Sequence, residues 1–396
     1  MFGRQGRTAA ASAAETHETG IVSRYHLTGI KPVGPRNSFV GSDVSRDTSE
    51  GRRPTIADIA ALAGVSKASV SKAINGQEGV SESTRARVLS VATRLGWQPS
   101  ARAVALTRGG SGAIGFLINR SPDLLSADPY FVDLLSGIER ELTEHGYWLL
   151  LKIGHHPTEA SERAAYADLA ASQRVDGVFL TETRIGDPRL DTVRSLRLPA
   201  VIVSRPWADT DLPWVGSGQP GGGIGDAVRH LAELGHRKIA YVTGPQDRSH
   251  VLYRTEAFLA AVAEHGLAVV GMPRTDFSPG RGAEATVRLL DQPERPSAII
   301  YDNDMMAVAG SQAASTLGFS TPRDLSVIGH DDISMSQWLT PALTTVRQDV
   351  IRLGELCARR LLSSLGVTVT TPDHGWQGMP DPQLVVRGST GPAQHA

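Results

Sequence analysis

Five adjacent side chains set the first chemical question: Lys67, Ala68, Ser69, Ser71 and Lys72 in the run KASVSKAI. Val70, Ala73 and Ile74 fall on one face at helical spacing, which turns the two lysines and their neighbours outward. An ammonium carries three donors and no acceptor, so it suits phosphate oxygens or the O6/N7 edge of guanine. Ala68 offers only a methyl, of the kind that can pack on a thymine methyl.

The elements around this run must hold it out. Thr55 caps a first helix, with Asp58 in the capping-box position three residues on. Ile56, Ile59, Ala60 and Ala63 give that helix one apolar face, and Gly64 stops it. Ser66 caps the second helix and Asn75-Gly76 ends it. Ser81 caps a third helix, which buries Val88, Val91, Ala92 and Leu95. Two helices joined by a short turn, the second short and basic, form a helix-turn-helix arrangement over residues 51–98. Pro99 ends the third helix, and residues 100–106 span at most two further turns within a linker at 99–111. A helix that short is marginal in water, so it is expected to be disordered in the free protein.

Charge divides the same way. The chain has 396 residues, 40% hydrophobic and 20% charged, with a formal net charge of −1. Residues 51–111 carry nine Lys/Arg against three Asp/Glu, whereas residues 112–396 carry 25 against 33. A basic module on an acidic body fits a nucleic-acid binder whose second domain does something else. The single cysteine, Cys357, excludes an intrachain disulfide and a cysteine zinc cluster. No apolar run approaches a membrane span and no signal peptide opens the chain, so a cytoplasmic protein is expected. Residues 1–50 and 391–396 read as tails, the first disordered.

From Gly112 the pattern alternates between buried strands and amphipathic helices, twice over, to about residue 390. This predicts two α/β subdomains with parallel sheets, forming a periplasmic-binding-protein-like clamshell with crossings near 206–215 and 338–346. Ligands in such sheets collect at the carboxyl ends of strands. The candidates there are Asp128 and Tyr130 after the first strand, Arg205 after the strand 200–203, and Arg254 opening a helix. Phe277 lies in a loop, Asn303 follows the strand ending at Tyr301, and Asp331 follows one ending at Ile328. Carboxylates, Arg and Asn can bridge vicinal hydroxyls, and an aromatic face packs on a sugar ring. Asp304 and Asp332 read instead as caps or structural hydrogen bonders, and Trp338 as hinge packing.

The run TIADIAALAGVSKASVSKAINGQEGVSESTRARVLSVATRLGWQPSARAVAL resembles the DNA-binding headpiece and hinge of the LacI/GalR family of bacterial transcription regulators. DPYFVDLLSGIERELTEHGY, LAELGHRKIAYVTGP, YDNDMMAVAGSQAASTLG, SVIGHDD, TPALTTVRQ and LVVRGST resemble its effector domain in order. The resemblance covers about residues 54–390. It implies that Lys67, Ala68 and Lys72 read base edges, with Ser69 and Ser71 placed for bases or phosphates, that Asn75, Thr84 and Arg85 grip backbone phosphates, and that Thr55 and Ser66 also belong to the DNA-binding surface. It further implies hinge contacts from Ser100 and Ala103, with Leu106 wedged into a minor-groove step. It implies a homodimer on a near-palindromic double-stranded operator, and a small-molecule effector, a sugar or sugar derivative, in contact with the seven cleft residues. Several positions depart from the family pattern. Ser100 stands for the usual Asn, Ser204 for a frequent Asp, and His330 for an aromatic, while GSGQPGGG at 216–223 lacks an Asp-Asn pair.

Catalysis finds no support in the residues. His155-His156 has no carboxylate or cysteine at ligand spacing, and no nucleophile elbow or phosphate loop occurs. The glycines at 221–223 lack the spacing of a dinucleotide fingerprint. A Rossmann-type enzyme is disfavoured on these grounds. A solute-binding protein serving a transporter is disfavoured by the headpiece. No cofactor and no metal are expected.

Overall fold

The computed structural model describes residues 54–98, 110–154, 156, 158–371, 375–376 and 378–394. The tail expected at 1–50, His155, and the hinge positions Ser100, Ala103 and Leu106 lie outside the described residues. The chain forms two compact units, one ending at Trp97 and one beginning at Gln98.

The first unit holds α1 (Ile56–Ala63), α2 (Lys67–Ile74) and α3 (Glu82–Arg94). Each is capped as its sequence demands. Thr55 donates from both its backbone N–H and its hydroxyl to Asp58 Oδ2, 2.7 Å each. Ser66 Oγ accepts from Ser69 N at 3.1 Å, and Ser81 Oγ from Thr84 N at 3.3 Å. Gly64 ends α1 at φ 66°, a conformation that a Cβ would strain. Ile59, Val70 and Val88 meet fully buried, with Ala63, Ala73 and Val91 around them. Helices of eight residues do not hold alone, so this shared core is what keeps α1 and α2 folded.

The second unit begins with β1 (Ala113–Ile118), α4 (Pro122–Ser126), α5 (Pro129–Glu144), β2 (Trp148–Ile153), α6 (Glu159–Ala171), β3 (Gly177–Leu180), α7 (Pro188–Ser195), β4 (Ala200–Val203) and β5 (Trp214–Val215). These strands form a parallel sheet in the order β2-β1-β3-β4-β5. Then follow α8 (Gly222–Glu233), β6 (Lys238–Val242), α9 (Ser249–His265), β7 (Ala268–Gly271), α10 (Pro279–Leu290), β8 (Ala298–Tyr301), α11 (Asp304–Thr316), β9 (Ser326–Asp331), a 3-10 turn (Ser334–Trp338), β10 (Thr344–Arg347), α12 (Val350–Ser364) and β11 (Gln383–Val385). The second sheet runs β11-β10-β9-β8-β6-β7, parallel except for β11. Both sheets reverse strand direction of progress at one place, between β1 and β3 and between β6 and β8. Those switch points are where open α/β sheets leave a crevice.

Several boundaries differ from expectation. β5 still pairs with β4, so the first crossing falls after Val215 rather than within 206–215. β10 pairs with β9, so the return falls after Arg347 rather than at 338–346. A third crossing precedes β11, which joins the second sheet. Between the last two, α12 packs on α5 in the first lobe. Leu353, Leu356, Cys357 and Leu361 join the core of Phe116, Phe131 and Leu134 there. The helices touch through Gly137 and Gly354; a Cβ on Gly137 would lie 2.0 Å from the Ile351 carbonyl oxygen. Trp338, expected to pack at the hinge, is 78% exposed. Its five-residue 3-10 turn is too short to carry an inward-facing stripe.

Candidate functional sites

On the first unit, Lys67, Ala68, Lys72 and Asn75 are exposed, and Ser69 and Ser71 half-buried. Neither lysine makes an ion pair among the described residues. The other candidates have local employment. Thr55 Oγ1 donates to Asp58, Ser66 and Ser69 hydroxyls pair at 3.0 Å, and Asn75 Nδ2 donates to Ser71 Oγ at 3.4 Å. Ser81 Oγ donates to Thr84 Oγ1 at 2.9 Å. Arg85 departs most from expectation. Its guanidinium donates to the carbonyls of Gln77, at 2.9 Å, and Ala73, at 3.4 Å, and so clamps the turn between α2 and α3. The pattern leaves α2 with a free cationic face set on a rigid three-helix base.

On the second unit, the strand ends meet across a cleft with about 1010 Å³ of space, its open mouth included. Asp128, Tyr130, Arg205, Arg254, Phe277, Asn303 and Asp331 all line it. Asp128 caps α5, its Oδ1 accepting from Tyr130 N at 3.2 Å. Desolvation, reinforced by the Asp331 charge, pushes its carboxyl up to about 6. Asp331 is the last residue of β9 rather than a residue beyond it, at φ 103°; it accepts from Gln348 Nε2 at 2.8 Å and His330 Nδ1 at 2.9 Å. His330 thereby serves as a buried polar neighbour of the cleft carboxylate. Asn303 caps α11 and donates to the Phe277 carbonyl at 3.1 Å, so it holds the loop that presents the Phe277 ring.

Arg254 does not open a helix. Helix α9 starts at Ser249, and Arg254 lies in its second turn, buried, donating to the Asp302 carbonyl at 3.0 Å. Its Nε is buried with no hydrogen-bond partner among the described residues. The early start has a physical source: Ser249 N donates to the Thr183 carbonyl of the other lobe at 2.8 Å, and its hydroxyl to the same oxygen at 3.0 Å. Thr183 Oγ1 returns a bond to Ser249 Oγ at 3.1 Å, and Tyr253 Oη donates to the Pro206 carbonyl at 2.8 Å. These bonds join the lobes at the cleft's rim.

Sequence reasoning missed Arg120, Glu182 and His250. Arg120 and Glu182 sit two residues beyond β1 and β3, at the first sheet's switch point, and pair at 2.6 Å. Burial opposes ionisation of Glu182, but the charge and hydrogen bonds of Arg120, with Arg248 and His250 behind, hold it at about 2. His250 stacks on Phe277 at 5.7 Å between centroids, and desolvation, then the Arg254 charge, hold it well below the ordinary histidine range. Asp304 and Asp332 act structurally, as expected. Asp304 accepts from Ser336 Oγ, Thr345 Oγ1 and Ile333 N. Asp332 pairs with Arg347 and Arg387.

A helix-turn-helix unit ahead of a two-lobed α/β unit with a polar cleft defines a ligand-sensing DNA-binding regulator. Family models agree: one for bacterial regulatory proteins of the lacI family matches residues 55–100, and one for a periplasmic binding protein-like domain matches residues 228–390. The ribose operon repressor of Escherichia coli (strain K12) is 36% identical over 345 residues, 85% of this chain and 99% of that protein. The HTH-type transcriptional repressor PurR of Proteus mirabilis is 34% identical over 316 residues, 78% and 90%. The crystal structure of the lac repressor dimer bound to operator and the anti-inducer ONPF aligns with a TM-score of 0.75 at 25% identity, covering 86% of this chain and all of that one. The chain belongs to the LacI family of bacterial regulatory proteins and is a DNA-binding transcriptional repressor with an effector-binding domain. The relatives it matches are transcription regulators, not enzymes. Among the described residues no helix is long and apolar enough to cross a membrane.

Proposed function

We propose that this repressor works as a homodimer on a near-palindromic operator, and that a sugar or sugar derivative between the lobes sets its DNA affinity. In this reading α2 enters the major groove, where Lys67 and Lys72 donate to base edges and Ala68 packs on a thymine methyl. Ser69, Ser71, Asn75 and Thr84 approach bases or phosphates, and Thr55, Ser66 and Arg85 position the headpiece.

The observation that carries the effector reading is the convergence of Asp331, Arg254 and the Tyr130 ring on one cleft at the strand ends of both sheets. Carboxylate and guanidinium beside an aromatic face are what a polyhydroxylated ring asks for. The ribose operon repressor among the relatives supports a sugar. A ligand shifts DNA affinity only by its differential binding to two lobe arrangements, typically ~1–3 kcal/mol.

The dimer is supported by β2. It is an edge strand, yet Trp148 is 76% exposed, and Leu150, Leu151 and Ile153 are exposed with it. An open apolar edge is a liability unless another chain covers it. A two-fold protein then predicts a two-fold operator. Gel-shift titration of palindromic operator candidates against a panel of sugars tests the whole reading. Binding no tighter than to unrelated DNA, at every palindrome tried, rejects it.

A further inference from the structure

Arg120 has an unusual position for a charged residue inside a ligand cleft. Its Nε donates to both Glu182 oxygens at 3.2 Å, its Nη2 to Glu182 Oε1 at 2.6 Å, and its Nη1 to Asp128 Oδ2 at 2.9 Å. Its guanidinium carbon lies 4.9 Å from the ring centroid of Phe131, in the first lobe, and 5.1 Å from that of Phe277, in the second. Two carboxylates and two aromatic rings make a cage for a planar cation, and a side chain of the protein fills it. The cage is stiff. Phe277 is buried at φ 71°, stacked on His250, and seated where a Cβ on Gly244 would come within 2.2 Å of its ring.

We propose that Arg120 is a specificity-determining residue of the effector cleft: a built-in cation that fills the aromatic slot between the lobes. The effector then lies beside it, against Arg254, Asp331 and Tyr130, as a neutral polyhydroxylated molecule. The proposal rests on the reading of the cleft as the effector site. A cationic ligand finds Glu182 and Asp128 already engaged by Arg120. An anionic ligand meets five carboxylates against three guanidiniums, and each guanidinium already has a partner: Arg120 has Glu182, Arg205 the Gly218 carbonyl and Arg254 the Asp302 carbonyl. Arg254 Nε, without a partner among the described residues, and the nearby Asp331 carboxylate offer a donor and an acceptor that hydroxyl groups can satisfy together.

The test is thermal unfolding of the full chain and of R120A with ethylguanidinium, D-ribose, D-glucosamine or ribose 5-phosphate, each at 10 mM. Ethylguanidinium is expected to raise the Tm of R120A by about 2 °C or more, to leave the wild type unshifted, and to lose its effect in R120A/E182Q. Equal responses in wild type and R120A overturn the slot assignment. If R120A does not fold alone, it is refolded with and without ethylguanidinium: recovery only with the cation supports the proposal, and no difference contradicts it. A wild-type shift with glucosamine or ribose 5-phosphate larger than that with ribose overturns the neutral class. If no sugar shifts the wild type, the effector reading loses its support while the ethylguanidinium comparison still decides the slot.

Discussion

Lys67, Lys72 and Arg85 are close in sequence but differ in what their nitrogens already hold. The two lysines have no ion pair among the described residues, whereas Arg85 donates to the Ala73 and Gln77 carbonyls. K67A and K72A are therefore expected to weaken operator binding roughly tenfold or more with an unchanged Tm. R85A is expected to lower the headpiece's Tm, because it frees two carbonyls of the turn. Equal Tm values for R85A and wild type would remove the clamp assignment. Proton linkage gives a second prediction. Burial pushes Asp304 up to about 7, and desolvation with the Asp331 charge pushes Asp128 to about 6. A carboxyl raised above its unfolded value near 4 binds protons better in the native state. Its contribution is full below about pH 4 and is lost as pH rises through 6 to 7. Glu182, held at about 2, contributes in the opposite sense, and its share disappears only as pH falls toward 2. Buried histidines held below their ordinary range by desolvation, His250 and His330 among them, contribute the opposite slope over the same window. The test is therefore a difference: between pH 5 and pH 8 the Tm of D304N should fall less, or rise more, than that of the wild type, and an identical slope contradicts the assignment.

At the scale of elements, the helices of the headpiece and the buried strands were legible because their apolar periodicity is local. β5, β7 and β10 were not, because a strand of two or four residues is defined by the neighbour it pairs with. The start of α9 was misplaced for a related reason: its first residue is fixed by Thr183 from the other lobe. The strand-end rule brought Asp128, Arg254, Phe277 and Asp331 into one cleft, yet Arg120 and Glu182 escaped it. Their importance comes from strand order, and adjacency of β1 to β3 is tertiary information. Trp338 misled because hydrophobicity alone does not say which side of a short turn faces the core. Two contacts between elements make predictions. G137A forces a Cβ against the Ile351 carbonyl of α12 and is expected to cost ~1–3 kcal/mol, read as a Tm several degrees lower. L150E places a charge on the apolar β2 edge and is expected to give a monomer in sedimentation velocity; a dimer of unchanged stability would move the interface elsewhere.

For the whole molecule, the division of charge is the organising fact. A basic three-helix reader occupies one unit, and an acidic two-lobed sensor the other. In the proposed reading, linkage between cleft occupancy and DNA affinity turns the two units into a switch. The most direct test of that linkage is a titration of the full chain with palindromic operator DNA, at fixed salt, with and without a neutral sugar that raises its Tm. A change of about 5-fold to 150-fold in operator affinity is predicted, with affinity for unrelated DNA unaltered. An operator affinity that stays the same when the cleft is saturated would contradict the account.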